Sequence, residues 1–503
     1  MEEDSDEVVE AAEAALETAC CSTDPSGISP SHASTASLGG GQWTTPLFHP
    51  SDVERVVQRY GQFIEKFQFN QARETIEQYM QSTSRPLAIT NEKDVSWAAL
   101  LSSLASIANC DKNYYLLSFL QPKAFFRKEN ALKNQYYQIS ENLVRASPSA
   151  VAVSDSSGSN VAQADYLIVQ CRQYVLARVK MINIYTTITS LGNDREIVWE
   201  SIHARGVRIA ETLQTSQKHS LFSMVHLLSG EVAVLLLLVS AQIHISNCKM
   251  LESLLQLKEI RERFDFWVRD SLCLNSVNKS VLHFFRSTDK LPRNRLISWF
   301  VQFYNLLMAK FSLYFTNVLS NFCSVDDLKT IYTIDNGYNF ISNATQLVKK
   351  TDAVCLAIVM DRENSTDNFY GFGYHRLKDR FTPGALTEPR KGIAALCPVV
   401  FRLPSPTEGH KSAQSNDVFE KYHEYINGFV QSNLRQPSKS RYYYDTERDH
   451  CMFGDMVEAQ LYLVVVYSGR VCEKDVTIMS FIQHMTTSLR GSSLFLSLKN
   501  AAK

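Results

Sequence analysis

Gly371 and Gly373 are the residues whose type and spacing most resemble a site for chemistry. They stand in DAVCLAIVMDRENSTDNFYGFGYH (352–375), where a glycine pair follows an apolar, strand-like run. A phosphate-binding loop needs glycines in a turn that leads directly into a helix, where free backbone N–H groups meet the phosphate. Here the glycines alternate with aromatic residues, no Gly-Lys-Ser/Thr follows, and the next residues read as a loop. The pattern favours a hairpin strand whose glycines allow a bulge or a close backbone approach.

Histidines supply no better candidate. His375 has no nucleophile or partnered carboxylate near it in the sequence, and no H-E-x-x-H, G-x-S-x-G or kinase signature is present. His226 and His244 stand in a strongly apolar helical stretch, where we expect core or boundary residues rather than ligands. We therefore predict no catalytic, cofactor-binding or metal-binding residues, no cofactor, and no small-molecule substrate.

Cationic residues cluster in KDRFTPGALTEPRKG (378–392). This segment could contact phosphate or acidic lipid, but Asp379 and Glu388 dilute its charge and no nucleic-acid recognition pattern accompanies it. A solvated loop is the favoured interpretation, and no nucleic-acid partner is expected.

The eleven cysteines are scattered, without any C-x-x-C or repeated spacing. Neither a zinc site nor a disulfide framework is indicated, and reduced thiols in a cytosolic protein are the simplest account. Cys171 and Cys355 lie in apolar stretches and are expected to be small core residues.

Charge is distributed unevenly along the 503 residues. The first 54 contain eleven acidic residues and no Lys or Arg, and the remaining 449 hold 51 basic and 41 acidic side chains. A mildly basic body would suit an acidic partner or an anionic membrane surface, although a solvated surface with a counter-charged tail is favoured. The N-terminus resembles neither a secretory signal nor a transit peptide. The longest apolar stretch, Val232 to Ala241, is shorter than the ~20 residues of a membrane span, so any membrane association is expected to be peripheral.

Three regions are predicted from the change of pattern along the chain. Residues 1–49 form an acidic, Ser-rich tail without a core-forming period, which predicts disorder. Residues 50–350 are predicted to form an all-helical domain, interrupted by a flexible Ser-rich loop at 146–165. Its first helix is expected to begin at Ser51 with a capping box to Glu54.

Two later features of the helical region are informative. Gly192 is predicted to end a helix over 166–191 as a left-handed cap. The helix predicted over 294–320 is apolar around most of its circumference, which indicates a core helix packed among other helices.

Residues 351–503 are predicted to form a smaller antiparallel α+β domain. Strand candidates at 353–360, 368–375 and 395–403 precede a helix at 416–434, and three further strand candidates lie at 441–447, 450–456 and 460–467. A last helix is predicted from Asp475 as cap to Gly491 as stop. The order of strands and helices is similar to the longin/roadblock arrangement and unlike a dinucleotide-binding fold.

Several segments, taken in order, resemble one known family. They are SWAALLSSLASIA (96–108), AFFRKE (124–129), NLLMAKFSLYF (305–315), VKKTDA (348–353), GFGYH (371–375) and FIQHMTTSLRGSSLFLSLK (481–499). Together they are similar to subunit two of the KICSTOR complex, a resemblance that runs from about residue 50 to the C-terminus. The tail and the loop at 146–165 are departures from it.

The resemblance implies a non-enzymatic scaffold in a complex that recruits the GATOR complex to lysosomes. That assembly restrains the TOR kinase when amino acids or glucose are scarce. It also implies an all-helical domain followed by an α+β domain, and it brings no catalytic residues. The partners so implied are other KICSTOR-like subunits and a GATOR-like complex, with the chain in the cytoplasm and peripherally at the lysosomal membrane through those partners.

Three hypotheses follow from the sequence. The first is the scaffold subunit. The second is a longin-like regulator or binder of a small GTPase, prompted by the strand order, although a fold alone is weak evidence for function. The third is an enzyme whose site is assembled from distant residues, which a deep polar pocket with perturbed titratable groups would support.

Overall fold

The protein is mostly helical, with one small antiparallel sheet towards the C-terminus. The computed structural model describes residues 48–83, 92–120, 131–146, 163–192, 198–214, 221–269, 294–320, 338–366, 368–372, 389–404, 412–435 and 441–500. Residues 46–503 form one compact unit. Most of the predicted tail (1–49) and loop (146–165), namely residues 1–47 and 147–162, lies outside the described residues, so their disorder and flexibility stay predictions. At the edges Phe48 is buried, and the loop prediction was wrong for Ala146 and residues 163–165, which belong to helices. The predicted division at residue 350 also stays a prediction.

Helices precede the sheet and also flank it. They are α1 (Pro50–Glu65), α2 (Phe69–Thr83), α3 (Glu92–Tyr115), α4 (Ala131–Ala146), α5 (Gln163–Leu191), α6 (Trp199–Gln214), α7 (Phe222–Ser246), α8 (Met250–Arg269), α9 (Arg295–Tyr314), α10 (Thr316–Leu319), α11 (Phe340–Thr351), α12 (Ile393–Leu396), α13 (Ser412–Phe429), α14 (Val476–Arg490) and α15 (Ser492–Asn500). The strands are β1 (Cys355–Met360), β2 (Val399–Leu403), β3 (Tyr442–Asp445), β4 (His450–Glu458) and β5 (Leu461–Ser468).

The start of α1 differs from the prediction. The helix begins at Pro50, with His49 as the N-terminal cap and no side-chain capping bond, so the predicted capping box at Ser51 was wrong. Proline fits the first helical position because its φ is already helical and no N–H is needed there. The predicted apolar face is confirmed, since Val53 and Tyr60 are fully buried.

Gly192 was also predicted wrongly. It follows α5 without a left-handed φ, and a Cβ at this position would lie 3.0 Å from Cγ of Leu496 in α15. The glycine is therefore explained by the close approach of the last helix. By contrast, Gly491 has a φ of 77° and ends α14 as predicted, while Asp475 caps its start by accepting from the backbone N–H of Ile478 at 3.0 Å.

The predicted core helix is confirmed in α9, whose Leu296, Phe300 and Leu307 have no exposure to solvent. A second core helix, α7, is long and apolar enough to cross a membrane, judged by length and composition alone. This corrects the expectation that the apolar stretch around Val232 to Ala241 is too short for a span. In the folded chain α7 packs against α6, α8 and α9.

The sheet has the order β2-β1-β5-β4-β3, and every neighbouring pair is antiparallel. Pro398 comes immediately before β2, which lies at the edge of the sheet, where the missing backbone N–H is tolerated. The strand candidate at 395–403 is therefore confirmed only over Val399–Leu403, because Leu396 still belongs to the short helix α12.

The two faces of the sheet pack against different helices. Alternate residues of β1 point to opposite faces, so Leu356 and Ile358 join the large core shared with the helices. Ala357 and Val359 join a second core with Ile426 of α13. Because both faces are covered, all six residues of β1 are buried.

Candidate functional site

The glycine-rich segment does not form a strand over its described part, residues 368–372. Its aromatic residues hold a loop instead, since Phe369 packs against Phe372 with ring centroids 5.0 Å apart and beneath the guanidinium of Arg362. The carbonyl of Phe369 accepts from the backbone N–H of Arg390 at 2.8 Å. The strand prediction was therefore wrong here, and Gly371, with a φ of 120°, serves the loop.

The remaining parts of that candidate fall outside the described residues. Gly373, His375 and residues 378–388 of the basic segment are among them. The residues that follow the glycine pair, where a phosphate site would need a helix, lie outside the described ranges, so the expectation that no phosphate binds here stays a prediction.

The two histidines of α7 both lie at the boundary between core and solvent. His226 stacks on Phe222 with ring centroids 5.4 Å apart and meets Phe266 edge-on at 5.9 Å. Burial, with a further contribution from Lys249, lowers the pKa of His244 and favours its neutral form. Within the described ranges, no group of three or more His, Cys, Asp or Glu side chains is placed to hold a metal ion.

A fully buried ion cluster lies at the centre of the helical region, and the sequence analysis missed it. Arg178 of α5 lies between Asp111 of α3 and Glu231 of α7, and all three residues have no exposure to solvent. Arg178 Nη1 donates to Glu231 Oε2 at 2.6 Å, and its Nε lies 3.4 Å from Asp111 Oδ1. The cluster therefore joins three helices through charge-assisted contacts.

Tyrosine hydroxyl groups satisfy the remaining oxygens of both carboxylates. Tyr136 and Tyr174 donate to Asp111 at 2.6 and 2.5 Å. Glu231 accepts from Tyr114 at 2.5 Å, from Tyr185 at 2.9 Å and from Tyr115 at 3.1 Å. With these donors in place, neither carboxylate pays the desolvation penalty of an unpaired buried charge.

Aromatic rings also surround the guanidinium group. Its central carbon lies 4.4 Å from the ring centroid of Tyr114, 5.1 Å from that of Tyr115 and 5.2 Å from that of Tyr174. Burial alone would lower the pKa of Arg178, but the tyrosines and the two carboxylates hold it well above its usual range. Burial raises the pKa of each of these tyrosines, so they remain protonated donors. The charged groups of the cluster are fully buried, and their contacts hold α3, α5 and α7 together.

A second buried ion pair joins the helices to the sheet. The ammonium group of Lys310 in α9 donates to Glu458 at the end of β4 and to Gln242 Oε1 of α7 at 2.9 Å. Gln242 Nε2 donates to Glu458 Oε1 at 3.0 Å and so closes the triangle. Burial lowers the pKa of Lys310, although Glu458 acts in the opposite direction.

Lone charges in apolar helices were the signal that could have revealed both clusters. Arg178, Glu231 and Lys310 each stand in a stretch that the sequence predicts to be helical, and Lys310 lies in the predicted core helix. A buried charge needs a partner, but the sequence does not say which distant residue supplies it.

Several surface clefts lie on the described part of the chain, and two of them adjoin α6 and α7. One, of about 300 Å³, lies between the start of α6, the end of α7 and the β4–β5 turn, and its lining includes Glu200 and Arg490. The other, of about 490 Å³, is an apolar groove between α6, α7 and α8, lined by Phe222 and Trp267 among others. Neither cleft is lined by a residue of the Arg178 cluster, although Glu458 of the second ion pair lines the first cleft and Tyr115 lines a third cleft of about 530 Å³.

The cysteines behave as the sequence predicts. Cys171 and Cys355 are buried and free, and burial raises the pKa of each thiol to about 12. Thiols protonated to this degree are poor nucleophiles and poor metal ligands. These two residues therefore act as small apolar core side chains.

Comparison with known proteins points to one family. The family described as "KICSTOR complex C12orf66 like" matches residues 49–503. A curated relative, KICSTOR subunit 2 of Danio rerio, is 26% identical over 429 residues, which cover 82% of this chain and 91% of that protein. KICSTOR subunit 2 of Xenopus laevis is 25% identical over 463 residues, which cover 90% of this chain and 97% of the relative. The residues matched by the family run from before the first described helix to beyond the last one.

Proposed function

Because the chain belongs to the KICSTOR C12orf66-like family, we propose that it acts as a non-enzymatic scaffold subunit of a KICSTOR-like complex. The observation that carries this proposal is the family match over residues 49–503, which includes every described helix and strand. The structure supports it, since Arg178 and Lys310, whose pKa values are shifted, are fully buried in contacts that hold helices and the sheet together. A catalytic site would instead place such groups in an open pocket.

The cellular role that we propose is the one implied by membership of a KICSTOR-like complex. The chain, with other KICSTOR-like subunits, recruits a GATOR-like complex to lysosomes and thereby restrains the TOR kinase during amino-acid or glucose starvation. Its place is the cytoplasm and, through its partners, the surface of the lysosomal membrane. The similarity to two vertebrate subunits along most of their length supports this role.

Purification of the tagged full-length chain from its own cells at moderate salt tests the proposal. We expect other KICSTOR-like subunits in stoichiometric amounts, with a GATOR-like complex recovered alongside them. Lysosomal staining of the tagged chain should disappear when one of those subunits is removed. Recovery of the chain alone would contradict the scaffold role.

Exposed single positions are better than deletions for mapping the contacts. Removal of residues 351–503 would uncover the helices that pack on Leu356 and Ile358, and loss of binding would then reflect misfolding. Val198 and Val476 are 60% and 77% exposed and belong to the helical region and to the start of α14, respectively. Val198→Asp and Val476→Asp should leave folding intact, so that loss of a partner with one variant and not the other identifies the surface used.

A second candidate function is binding of a small GTPase through a longin/roadblock-like arrangement. The sheet order and the positions of α11 before β1, α13 between β2 and β3, and α14 after β5 support this proposal. Binding that depends on whether the GTPase carries GDP or a GTP analogue would favour it. Recovery of a small GTPase without KICSTOR-like subunits would replace the first proposal with this one.

A further inference from the structure

The cleft of about 530 Å³ lies where α2 and α9 begin and α3 ends. Its lining consists of residues 66–71, which form the turn between α1 and α2, with Lys112, Tyr115 and Leu116 at the end of α3, and Asn294 before α9. A cleft of this volume is typical of sites for small molecules. The groups around it decide which chemistry it can accept.

Two helix N-termini meet at this cleft, those of α2 and α9. The first three N–H groups of α2, in lining residues 69–71, take part in none of the described hydrogen bonds, since the first helical bond runs from Ala72 to the carbonyl of Gln68. Two of the last carbonyls of α1, by contrast, accept from Phe67 and Gln68. The start of a helix carries about half a positive unit charge, so these N–H groups favour an anion.

Asn294 adds a buried donor that lacks an acceptor. The residue is 8% exposed, and its Oδ1 accepts from the backbone N–H of Ile297 at 3.1 Å as the cap of α9. Its Nδ2 is buried and has no hydrogen-bond partner. Buried amide donors without an acceptor are uncommon in folded proteins. An anionic oxygen in the cleft is the acceptor that this group needs.

Two lysines give the cleft a positive charge. Lys66 and Lys112 both line it and are exposed to solvent. Lys112 donates to Asn70 Oδ1 at 3.2 Å and has two further ammonium protons to donate. No acidic residue is among the described lining residues. Two cations, two helix N-termini and an amide donor together favour a phosphate or carboxylate group over a cation.

Aromatic rings form another part of the wall. Phe69 and Tyr115 stack with ring centroids 5.6 Å apart, and Phe67 meets Tyr115 edge-on at 5.1 Å. The hydroxyl of Tyr115 donates to Glu231 and accepts from Arg178, which leaves its ring as the part that lines the cleft. A flat apolar group can pack against such rings.

We propose that this cleft binds a small organic anion, with its phosphate or carboxylate group at the start of α2 between Lys66 and Lys112. The Nδ2 of Asn294 donates to the same anionic group, and the apolar part of the ligand packs against Phe67 and Tyr115. The site exists only in the folded chain, because its lining comes from the α1–α2 turn, α3 and the start of α9. The ligand therefore stabilises the junction of these helices.

Saturation-transfer NMR on the full chain measures binding of phenyl phosphate, a probe that has both the anionic group and the ring. We expect a Kd on the order of 1 mM for a probe this small. Phenol, which keeps the ring without the anion, should bind at least about 10-fold more weakly. Phenylacetate in the same experiment shows whether the site prefers a carboxylate to a phosphate. All titrations are run at one ionic strength, because salt screens the attraction.

Removal of both cations tests the charge of the site. Lys66→Gln/Lys112→Gln should raise the Kd for phenyl phosphate at least about 10-fold. Both lysines are exposed, so folding is kept, which circular dichroism verifies. Lys349→Gln/Lys350→Gln is the matched control, since it removes two exposed cations from α11, which does not line the cleft, and should leave the Kd within about twofold of the wild-type value.

Asn294→Asp tests the buried donor. Aspartate keeps an oxygen that accepts from the backbone N–H of Ile297 at the start of α9, but it replaces Nδ2 by a second acceptor oxygen. Binding of phenyl phosphate should fall below detection in this variant, with circular dichroism again confirming the fold. An unchanged Kd would overturn the assignment of Nδ2 as a donor to the ligand.

A wild-type chain that gives no signal with either anion at about 10 mM, well above the expected Kd, overturns the proposal. So does phenol that binds as tightly as phenyl phosphate, and so does a Kd that changes equally in the lysine double variant and its control. The measurement uses the chain without any partner, so its outcome is independent of the proposed scaffold function.

Discussion

The carboxylate of Glu458, at the end of β4, accepts from the ammonium group of Lys310 in the middle of α9, 148 residues earlier in the chain. Gln242 of α7 bonds to both partners, so one buried triangle links two core helices to the sheet. The second oxygen of Glu458 is buried without a described hydrogen-bond partner. The described hydrogen bonds that stabilise the buried Glu458 carboxylate therefore all go to its Oε1, which accepts from Lys310 and Gln242.

Lys310→Met should destabilise the protein strongly, because it leaves the Glu458 carboxylate buried without its cation. Breaking a buried ion pair costs about 3–5 kcal/mol in the free energy of unfolding, whereas replacing both partners by apolar groups is often nearly neutral. The double variant Lys310→Met/Glu458→Met should therefore recover most of the loss. Urea denaturation followed by circular dichroism measures both.

An exposed ion pair supplies the control. Arg145 and Glu141 lie 3.3 Å apart on α4, with side chains 74% and 64% exposed. Arg145→Met removes a cation of similar size from solvent and should change stability by less than about 0.5 kcal/mol. Equal losses at Lys310 and Arg145 would show that the buried triangle contributes nothing beyond surface charge.

The sequence predicted those features that depend on local pattern. The strands at Cys355–Met360 and Leu461–Ser468, the core helix α9 and both ends of α14 followed from period, caps and a glycine stop. The strand predicted over 368–375 is absent from its described part, 368–372, because contacts from outside the segment, the Arg362 guanidinium over Phe369 and the backbone bond from Arg390, hold that part as a loop. Alternating aromatic residues cannot show this in advance.

The Gly192 error has the same origin. A glycine after a helix is a local signal for a left-handed cap, but here the contact with Leu496 comes from a helix 300 residues later. The buried clusters were missed for a related reason. A lysine in an apolar helix, such as Lys310, indicates that a counter-charge is needed, but only the folded structure shows that Glu458 supplies it. Local sequence pattern therefore predicts helices and strands, whereas the role of Gly192 and the partners of buried charges depend on contacts between residues far apart in the chain.

Tyr136→Phe tests the Arg178 cluster with the loss of one hydroxyl group. Tyr136 is fully buried and donates to Asp111 Oδ1 at 2.6 Å, so the variant weakens the coordination of a buried carboxylate. We expect a loss of about 1–3 kcal/mol in the free energy of unfolding. Tyr137→Phe, at the neighbouring position of the same helix and 38% exposed, should change it by less than about 0.5 kcal/mol. Similar urea midpoints for the two variants would contradict the proposed bond.

Asp361 should make the protein sensitive to acid. Burial opposes its ionisation, but hydrogen bonds from Arg435, from the backbone N–H of Glu363 and from Gln431 lower the pKa of its carboxyl group below the ordinary value. Arg435 binds both oxygens, at 2.5 and 2.6 Å. The unfolded state binds its proton first as the pH falls, so this stabilisation is present above about pH 4 and is lost as the pH falls through the lowered folded-state pKa.

Asp361→Asn should remove that dependence. The variant should be less stable than the wild type at pH 7. The difference should shrink below about pH 4, where the Asp361 carboxylate of the unfolded wild-type chain becomes protonated, followed at lower pH by that of the folded chain. Urea midpoints measured at intervals from about pH 7 to pH 2.5 give both curves. Parallel curves over the acid range would show that Asp361 is not the group responsible.

Gly230→Ala tests how closely α7 and α8 pack. A Cβ at position 230 would lie 2.3 Å from Cδ1 of Trp267, far inside contact distance. The indole cannot move away easily, because its Nε1 donates to the carbonyl of Leu227 at 3.0 Å and the ring packs edge-on against Phe300. We expect a loss of about 1–3 kcal/mol, which is typical of overpacking in a core.

Gly428→Ala is the matched substitution, because it introduces the same methyl group into another helix, α13, where no atom lies within 4 Å of the new Cβ. Alanine restricts the unfolded chain and favours the helix, so this variant should be more stable by up to about 1 kcal/mol. Thermal melts of the two variants should therefore shift in opposite directions. If Gly230→Ala also raised the melting temperature, α7 and α8 would have to pack less closely at Trp267 than the 2.3 Å approach indicates.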